Sequence, residues 1–460
     1  MNQPAATISA SDHTLSRSLQ PRHMSMITIG GIIGAGLFVS SSAAIAAVGP
    51  AIVISYAITG GLVLLIMRML GEMAIAMPQV RSFTEFARVG LGNWAGFSVG
   101  WLYWYFWVLV IPAEAIAGAI ILHDWVPLPT WALGVGLMGL MTGVNLMSAR
   151  SYGEFEFWFA SIKVAAIIVF ILLAASYAFG FIGPKVATFG NLTEHGGFMP
   201  NGVRSVLAAV TTVFFSLTGA EIVTIAAAES SEPAKAVARM TSTVVYRILI
   251  FYVGSIFLIV SVIPWTTIKS GFSPFTRALD SMQVPLAGTI MSAIILTAVL
   301  SCLNSAFYVA SRVLFVLAER GDAPRWLVKT NARHVPGRSV MLGCVAGVLG
   351  IAASEIFPNK VFSFIVNASG ALIVFVYIAI CVSQVRLRKA REKAGIAPNG
   401  ITMWLFPWAS YLAIAAMVAV LGAMALTSAA ASEFWVSVLT VAVALAAFFL
   451  FRHGRAAPPP

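Results

Sequence analysis

Long apolar stretches recur along almost the whole chain, and they limit the folds that are open to it. Hydrophobic residues make up 59% of the 460 residues and charged residues 10%, whereas a soluble domain is about a quarter charged. A helix that crosses a bilayer needs about 20 mostly apolar residues. We therefore predict an all-α membrane protein with about twelve transmembrane spans, at residues 24–46, 51–76, 95–122, 131–149, 157–180, 204–228, 243–263, 285–315, 339–357, 360–384, 404–426 and 432–451.

Basic residues are concentrated in a few polar connections between these spans. The segments 316–338 and 385–402 together contain ten Lys and Arg residues. Because cytoplasmic loops are enriched in Lys and Arg, these segments indicate a cytoplasmic side, which with an even number of spans also holds both termini. The net charge of +11 then reflects topology and contact with anionic lipid, and we expect no nucleic-acid partner.

The polar connections are too short for a soluble ATPase domain, and the chain contains no phosphate-binding G-x-x-x-x-G-K-[ST] loop. The three cysteines, Cys302, Cys344 and Cys381, lie in apolar stretches, where they are expected to pack as small side chains. No cysteine–histidine cluster indicates a metal. We therefore expect no enzymatic activity, no cofactor and no metal site.

Predicted span 1 contains an unusual concentration of glycine. Four of the seven residues in the segment Gly30–Gly36 are glycine, which is costly in a helix interior. Within a membrane, non-helical backbone is tolerated only where protein groups or a water-filled cavity form hydrogen bonds with its N–H and C=O groups. The segment therefore predicts either an interrupted helix at a binding site or a seam of small residues for close helix packing.

Predicted span 6 has a glycine close to a carboxylate near its middle, at Gly219 and Glu221. An ionisable residue within a membrane segment is a functional hypothesis by default. Glu221 is therefore a candidate functional residue, with a structural hydrogen-bonding role as the alternative.

The two interruptions lie five spans apart, as expected for two inverted five-helix repeats at residues 24–180 and 204–384. Discontinuous helices at matched positions indicate a transporter binding site. The N-terminus of a half-helix offers N–H groups and a positive dipole end to a carboxylate, and exposed carbonyls can accept hydrogen bonds from an ammonium. This arrangement predicts an amino-acid zwitterion between spans 1 and 6.

Two further ionisable side chains fall within predicted spans. Lys163 lies in span 5, where a buried amine can gain and lose a proton or replace a bound cation; snorkelling to the membrane interface is the alternative. Glu114 lies in span 3 as a candidate for a proton path or a substrate pocket, with helix packing as the alternative. Both residues are candidates for proton coupling.

Several long motifs are specific enough to indicate a family. They are Arg22-His23, Gly30–Phe38, Ile66–Met73, Gly153–Trp158 and Arg320–Pro324. In these motifs the chain resembles the amino-acid permeases of the amino acid–polyamine–organocation superfamily, from Arg22 to about Trp408. Within that group it is most similar to bacterial 4-aminobutyrate (GABA) permeases, in Ala35 and in the stretches Gly100–Trp104, Phe106–Pro112, Gly219–Ser230 and Ser301–Ala306.

The resemblance implies a LeuT-like five-plus-five inverted-repeat fold with broken spans 1 and 6, and proton-coupled uptake. It implies a substrate carboxylate held by span 1 backbone, an amino group held at the span 6 break, and an aromatic cap from span 6. The corresponding candidate substrate-binding residues are Ile32, Ile33, Gly34, Ala35, Gly36, Phe215 (the cap), Ser216, Thr218, Gly219 and Glu221. Lys163 matches a lysine that relatives use for proton coupling. Gly36, Leu217 and Thr218 depart from the GABA-permease pattern, so we expect a different pocket wall.

We therefore expect a proton-coupled symporter of GABA or related ω-amino acids in a bacterial inner membrane. A proton-coupled permease for aromatic or aliphatic α-amino acids, an amino acid exchanger, and a membrane enzyme or nutrient sensor are the alternatives. No sequence feature indicates an oligomeric state. The expected organisation is a cytoplasmic tail, a ten-helix transport core, a basic cytoplasmic loop, two further spans and a second cytoplasmic tail, at residues 1–21, 22–384, 385–403, 404–451 and 452–460.

Overall fold

A computed structural model describes residues 32–78, 80, 82–147, 149–183, 188–222, 249–357, 360–397, 400–428 and 430–451 of the protein. Within these ranges the regular structure is entirely helical. The principal helices are α1 (Gly36–Val48), α2 (Ile52–Ala76), α3 (Phe83–Leu91), α4 (Asn93–His123), α5 (Thr130–Met147), α6 (Ala149–Ala178), α7 (Gly202–Leu217), α8 (Leu249–Val262), α9 (Pro274–Ser281), α10 (Ala287–Glu319), α11 (Gly337–Ile356), α12 (Val361–Lys393), α13 (Trp408–Ala425) and α14 (Ala431–Phe451).

Nine of the helices in the described ranges are long and apolar enough to cross a membrane, namely α2, α4, α5, α6 and α10 to α14. Helices α1, α7 and α8 are apolar but shorter. Predicted spans 1, 6 and 7 also include residues 24–31, 223–228 and 243–248, which lie outside the described residues. A multi-pass, all-α membrane protein is thus confirmed, and the count of twelve spans stays a prediction.

Helix α12 extends beyond the predicted span 360–384 into the predicted basic loop 385–403. On this extension Arg388 pairs at 3.0 Å with Glu392, four residues further on, and at 3.0 Å with Glu72 of α2. Pairs at this spacing and basic residues in the last turn stabilise a helix. The helix therefore continues past the point where the apolar stretch ends.

Two short helices, α3 and α9, are not among the predicted spans. Helix α9 has Pro274 at its first position and is capped by Ser273, whose hydroxyl accepts the Thr276 N–H at 3.4 Å. Serine caps and a first-turn proline are both typical of helix starts. These helices are too short to cross a membrane, and they pack at the two ends of the bundle.

Helices α4 and α10 pack together at the centre of the bundle, and α4 also contacts α3, α5, α11 and α12. Small residues allow the closest crossings. At Gly370 of α12, an added Cβ atom would lie 2.0 Å from the Thr211 carbonyl oxygen of α7, so a larger side chain would push these helices apart. Helix α14 exposes apolar side chains such as Leu439 and Leu450, as expected for a helix that faces lipid.

Ion pairs gather at the end of the bundle where α4 begins. Arg88 of α3 pairs with Glu85 at 3.2 Å and also with Asp322, which follows α10. Arg320 pairs with Glu85 at 3.3 Å. We call this the basic end, because the basic segments after α10 and within α12 start here. Helix α4 runs from it for 31 residues, or about 46 Å, to the far end at His123.

Candidate functional site

The segment 32–36 leads into helix α1 and contains five predicted substrate-binding residues. Its first three residues are not helical, and all five are buried. At Gly34, an added Cβ atom would lie 2.6 Å from Cys302 Cβ and 2.8 Å from a carboxylate oxygen of Glu114. Helices α4 and α10 therefore approach this backbone so closely that only glycine fits. Gly30 and Gly31, which belong to the same predicted interruption, lie outside the described residues.

Helix α7 ends at Leu217, in the middle of predicted span 6. Thr218 is extended, with a ψ of 140°, and Gly219 has a φ of 125°, a conformation that favours glycine. The Ile222 N–H donates to the Gly219 carbonyl at 3.0 Å and closes a turn. Residues 223–248 lie outside the described residues, so a helix that resumes after this turn stays a prediction.

These two segments touch each other. The Ser216 hydroxyl donates to the Gly36 carbonyl at 2.7 Å, and an added Cβ atom at Gly36 would lie 2.6 Å from Ser216 Cα. The Tyr252 hydroxyl of α8 lies 2.9 Å from both the Ile32 and the Ser216 carbonyl oxygens. The backbone segments of spans 1 and 6 that are predicted to bind one substrate are therefore neighbours.

Lys163 of α6 reaches the same segment from another side. Its Nζ donates at 2.8 Å to both the Ile33 carbonyl and the Ser301 hydroxyl. Ser301 in turn donates to the Glu156 carboxylate at 2.6–2.7 Å, and Lys163 Nζ lies 3.9 Å from Glu156 Oε1. The Lys163 side chain is 0% exposed, so the snorkelling alternative is wrong.

Glu114 of α4 is also buried, and it binds the start of α1. The Ala35 N–H lies 3.2 and 3.1 Å from its two carboxylate oxygens. A helix N-terminus favours a negative charge at this position. Because Lys163 binds the carbonyl of Ile33, two residues earlier, both candidate coupling residues act on one short segment of backbone.

Glu221 forms a second cluster, around the turn after α7. Its carboxylate accepts hydrogen bonds from the Tyr103 hydroxyl of α4 at 2.9 Å and the Tyr377 hydroxyl of α12 at 2.8 Å. It also accepts the Gly219 N–H at 3.0 Å. The carboxylate thus ties the turn to two other helices, which is the structural role that the sequence analysis kept as an alternative.

The remaining two candidates lie on either side of the α7 terminus. The Phe215 ring is 6% exposed and lies 6.3 Å from the Phe106 ring of α4, centroid to centroid. The Thr218 hydroxyl donates to the Phe214 carbonyl at 2.6 Å, so it caps its own helix. The role of Phe215 as a lid over substrate stays a prediction.

Five residues of these clusters were not candidates from sequence: Glu156, Ser301, Tyr103, Tyr252 and Tyr377. Glu156 carried a usable signal, since it precedes Lys163 by seven residues and so lies on the same helix face two turns away. Ser301 lies in a stretch that resembles GABA permeases. Tyr103 lies in another such stretch, Gly100–Trp104, whereas Tyr252 and Tyr377 carried no signal, because aromatic residues are common throughout the chain.

The sequence comparisons with known proteins agree on one family. Residues 23–453 match the family of amino acid permeases. The chain is 44% identical to the gamma-aminobutyric acid permease of Bacillus subtilis over 443 residues, 96% of this chain and 94% of that protein. It is 48% identical to the probable GABA permease of Pseudomonas aeruginosa over 415 residues, 89% and 87% of the two chains. It is 37% identical to the aromatic amino acid transport protein AroP of Corynebacterium glutamicum over 428 residues, 92% of each.

Among solved structures, a manganese transporter of Eremococcus coleocola matches with a TM-score of 0.58 over 96% of this chain and 98% of that one. The sequences are 13% identical, so the likeness shows the fold alone, that of a LeuT-like transporter. The family match covers nearly the whole chain, and the relatives are permeases rather than enzymes. The chain therefore belongs to the amino acid permease family.

Proposed function

We propose that this permease takes up GABA or related ω-amino acids together with protons across a bacterial inner membrane. The proposal depends on one observation: the Ala35 N–H donates to the Glu114 carboxylate, close to the contact between α1 and α7. The similarity to two GABA permeases supports the choice of substrate. The proposal includes the twelve-span, five-plus-five arrangement with broken spans 1 and 6.

The two segments offer complementary groups to a zwitterion. N–H groups of residues 32–36 hold the substrate carboxylate at the start of α1, where the helix dipole adds to the attraction. Carbonyl oxygens and hydroxyls at the end of α7, from Phe215 to Gly219, hold the ammonium. Glu221 shapes this half of the site through the Gly219 turn that it anchors.

Glu114 and Lys163 supply the coupling to protons. In the absence of substrate, the Glu114 carboxylate occupies the Ala35 N–H. Protonation of Glu114 weakens this hydrogen bond and leaves the amide to the substrate carboxylate. Lys163 fixes the preceding carbonyl, so the charge state of the two side chains sets the position of the α1 segment. Substrate and proton together then shift the population from the outward-open to the inward-open state.

The orientation follows from the charge distribution. Helix α12 and the connection after α10 place their basic residues at one end of the bundle, and cytoplasmic segments are rich in Lys and Arg. The basic end is therefore cytoplasmic, together with both termini, and anionic lipid lies beside it. Substrate enters from the far end.

A second candidate function is uptake of aromatic α-amino acids. The similarity to AroP favours it, and so does the aromatic wall that Phe106, Trp107 and Phe215 form near the end of α7. An α-amino acid places both charged groups on one carbon, whereas GABA separates them by three methylenes. The two substrate classes therefore need different distances between the groups that bind them.

Uptake of labelled GABA into proteoliposomes of the purified protein, with and without an inward proton gradient, tests the proposal. We expect accumulation of labelled GABA that depends on the proton gradient. Unlabelled GABA and β-alanine should inhibit it, and aromatic amino acids should not. Vesicles preloaded with amino acid measure exchange separately.

Two results would overturn parts of the proposal. GABA uptake that is unchanged when the proton gradient is collapsed, in vesicles without internal amino acid, would remove the coupling. Uptake of phenylalanine but not of GABA by the same vesicles would replace the substrate with an aromatic α-amino acid.

A further inference from the structure

A cavity of about 370 Å³ opens at the far end of the bundle. Its inner wall includes Val39 of α1 and Ala117 of α4. Val39 lies about one helical turn after Ala35, and Ala117 lies about one turn after Glu114. Its outer wall is formed by α9 and the connection that precedes it. The cavity therefore lies on the route between the far end and the candidate site.

Four charged side chains line this cavity: Asp124 at the end of α4, Lys269 before α9, and Arg277 and Asp280 on α9. All four are exposed. Among the described residues, none of them forms an ion pair within 4 Å. Opposite charges thus face one concave space without neutralising each other, unlike the paired charges at the basic end.

The segment that carries the cations is held firmly against α1. The Gly271 N–H donates to the Ser42 hydroxyl of α1 at 3.1 Å. The buried Phe275 ring packs against Phe38 of α1 and Phe170 of α6, with centroids 4.9 and 4.7 Å apart. The backbone that bears Lys269 and Arg277 is therefore positioned by the same helix that carries the candidate site.

The four charges are not equivalent. Asp280 packs its carboxylate against Gly288, where an added Cβ atom would lie 2.0 Å from Asp280 Oδ1, so it serves the start of α10. Asp124 has no such contact among the described residues. Thr276 also lines the cavity, and its buried hydroxyl has no described hydrogen-bond partner.

We propose that this cavity is an outer capture site, which binds the amino-acid zwitterion before it moves to the site between α1 and α7. Lys269 and Arg277 hold the carboxylate, and Asp124 holds the ammonium. The volume lies within the range of roughly 300–1,000 Å³ that is usual for ligand pockets. This inference rests on the proposed function only in requiring a zwitterionic amino acid, and it does not require GABA.

The test compares the double variant Lys269→Ala/Arg277→Ala and the single variant Asp124→Asn with wild type in proteoliposome uptake. We expect the KM for the substrate to rise about three- to tenfold, because the double variant removes the cations that pair with the substrate carboxylate and Asp124→Asn removes the charge that pairs with its ammonium. The maximal rate should change less than about twofold. Added salt should raise the wild-type KM and leave that of the double variant nearly constant.

The matched control is Lys360→Ala, which removes an exposed cation that lies just before α12 and does not line the cavity. It should leave KM and its salt dependence unchanged. The single variants Lys269→Gln and Arg277→Gln should each give part of the effect, so that poor folding of the double variant would not leave the proposal untested.

An unchanged KM in the Lys269/Arg277 and Asp124 variants, with normal wild-type uptake, would overturn the capture site and leave the proposed function intact. The same applies to a fall in maximal rate at constant KM, which would indicate a structural role. If the wild type takes up phenylalanine and not GABA, the proposed substrate fails. The variants are then measured with phenylalanine, which also carries one carboxylate and one ammonium for the cavity to bind.

Discussion

Two buried clusters of ionisable side chains lie beside the candidate site, and they are built from different groups. Around Lys163, an ammonium, a shared serine hydroxyl and the Glu156 carboxylate join α6 and α10 to the start of α1. Around Glu221, two tyrosine hydroxyls and a backbone N–H join the turn after α7 to α4 and α12. Each cluster holds one of the two segments that meet at the candidate site.

The difference between the clusters suggests different tasks. The Ser301 hydroxyl lies between an ammonium and a carboxylate, and it can reverse its donor direction when either group changes its proton. The donors described for Glu221 are hydroxyls and an amide, which hold a carboxylate in place without any change in charge. We infer that the Lys163 cluster responds to protons, whereas the Glu221 cluster fixes the geometry of a turn.

The largest expected effect is that of Lys163→Ala. The substitution removes the ammonium that binds Ile33 and faces Glu156, so proton binding can no longer move the α1 segment. With one proton per substrate, a gradient of one pH unit sustains at most about tenfold accumulation. We expect wild type to approach that ratio and Lys163→Ala to reach only equal concentrations inside and outside, as measured by labelled uptake.

Exchange with internal substrate should survive in Lys163→Ala, because exchange needs binding but no proton. Ser261→Ala is the control, since the Ser261 hydroxyl is buried and bonds a carbonyl of its own helix. Accumulation at the wild-type level in Lys163→Ala would show that coupling resides elsewhere and would remove the contrast between the two clusters.

A second large effect is expected for Glu221→Gln. An amide offers one acceptor oxygen where the carboxylate accepts three hydrogen bonds, so at least one buried donor loses its partner, at a cost of about 1–3 kcal/mol. We expect a lower thermal unfolding temperature and about tenfold slower uptake, with unchanged dependence on the proton gradient. Tyr377→Phe removes one donor and should show the same pattern more weakly.

Tyr105→Phe, two residues from Tyr103 on the same helix, is the control for the tyrosine variant. The informative alternative is a Glu221→Gln protein that keeps its thermal stability and shows only a higher KM. That outcome would make Glu221 a direct ligand of the substrate and would contradict the fixed-turn role.

A smaller effect is expected for Ala35→Thr. Ala35 is buried and its N–H binds Glu114, and the family resemblance implies that GABA permeases also carry alanine at this position. The added atoms should crowd the site and raise the KM for GABA severalfold, with a smaller change for exchange rate at saturation. Ala44→Thr is the control, since Ala44 lies on α1, which Ala35 directly precedes, and is also buried. Equal effects of the two variants would remove Ala35 from the site.

The sequence predicted the membrane class and most helix positions, because a bilayer imposes length and apolarity on every span. It also identified the α1 and α7 segments, since glycine clusters and an intramembrane carboxylate are rare in spans. It did not predict the helical extension on α12 or the helices α3 and α9, which depend on local caps and on ion pairs, some of them between distant residues. Hydropathy does not record such contacts.

The candidate site shows the same division. Lys163, Glu114 and Glu221 were identifiable because a charge within an apolar stretch is conspicuous. Their hydroxyl partners were not, because Ser301, Tyr103 and Tyr377 are of residue types that occur throughout the spans. Only the packing of α4, α10 and α12 selects them. A sequence thus reveals which buried charges need partners, and the fold decides which helices supply them.

The smallest expected effect is that of Ser301→Ala, and it tests the inferred role of the shared hydroxyl most directly. The substitution removes the group between Lys163 and Glu156 but leaves both charges, whose nearest described approach is 3.9 Å. A hydrogen bond of this kind contributes about 0.5–1.5 kcal/mol, and both charges remain, so we expect the accumulation ratio to fall by only about twofold while exchange is unaffected. If the hydroxyl served only packing, accumulation and exchange would fall together. A selective loss of accumulation would therefore separate a proton-responsive cluster from a structural one, since Tyr377→Phe should reduce both activities in proportion.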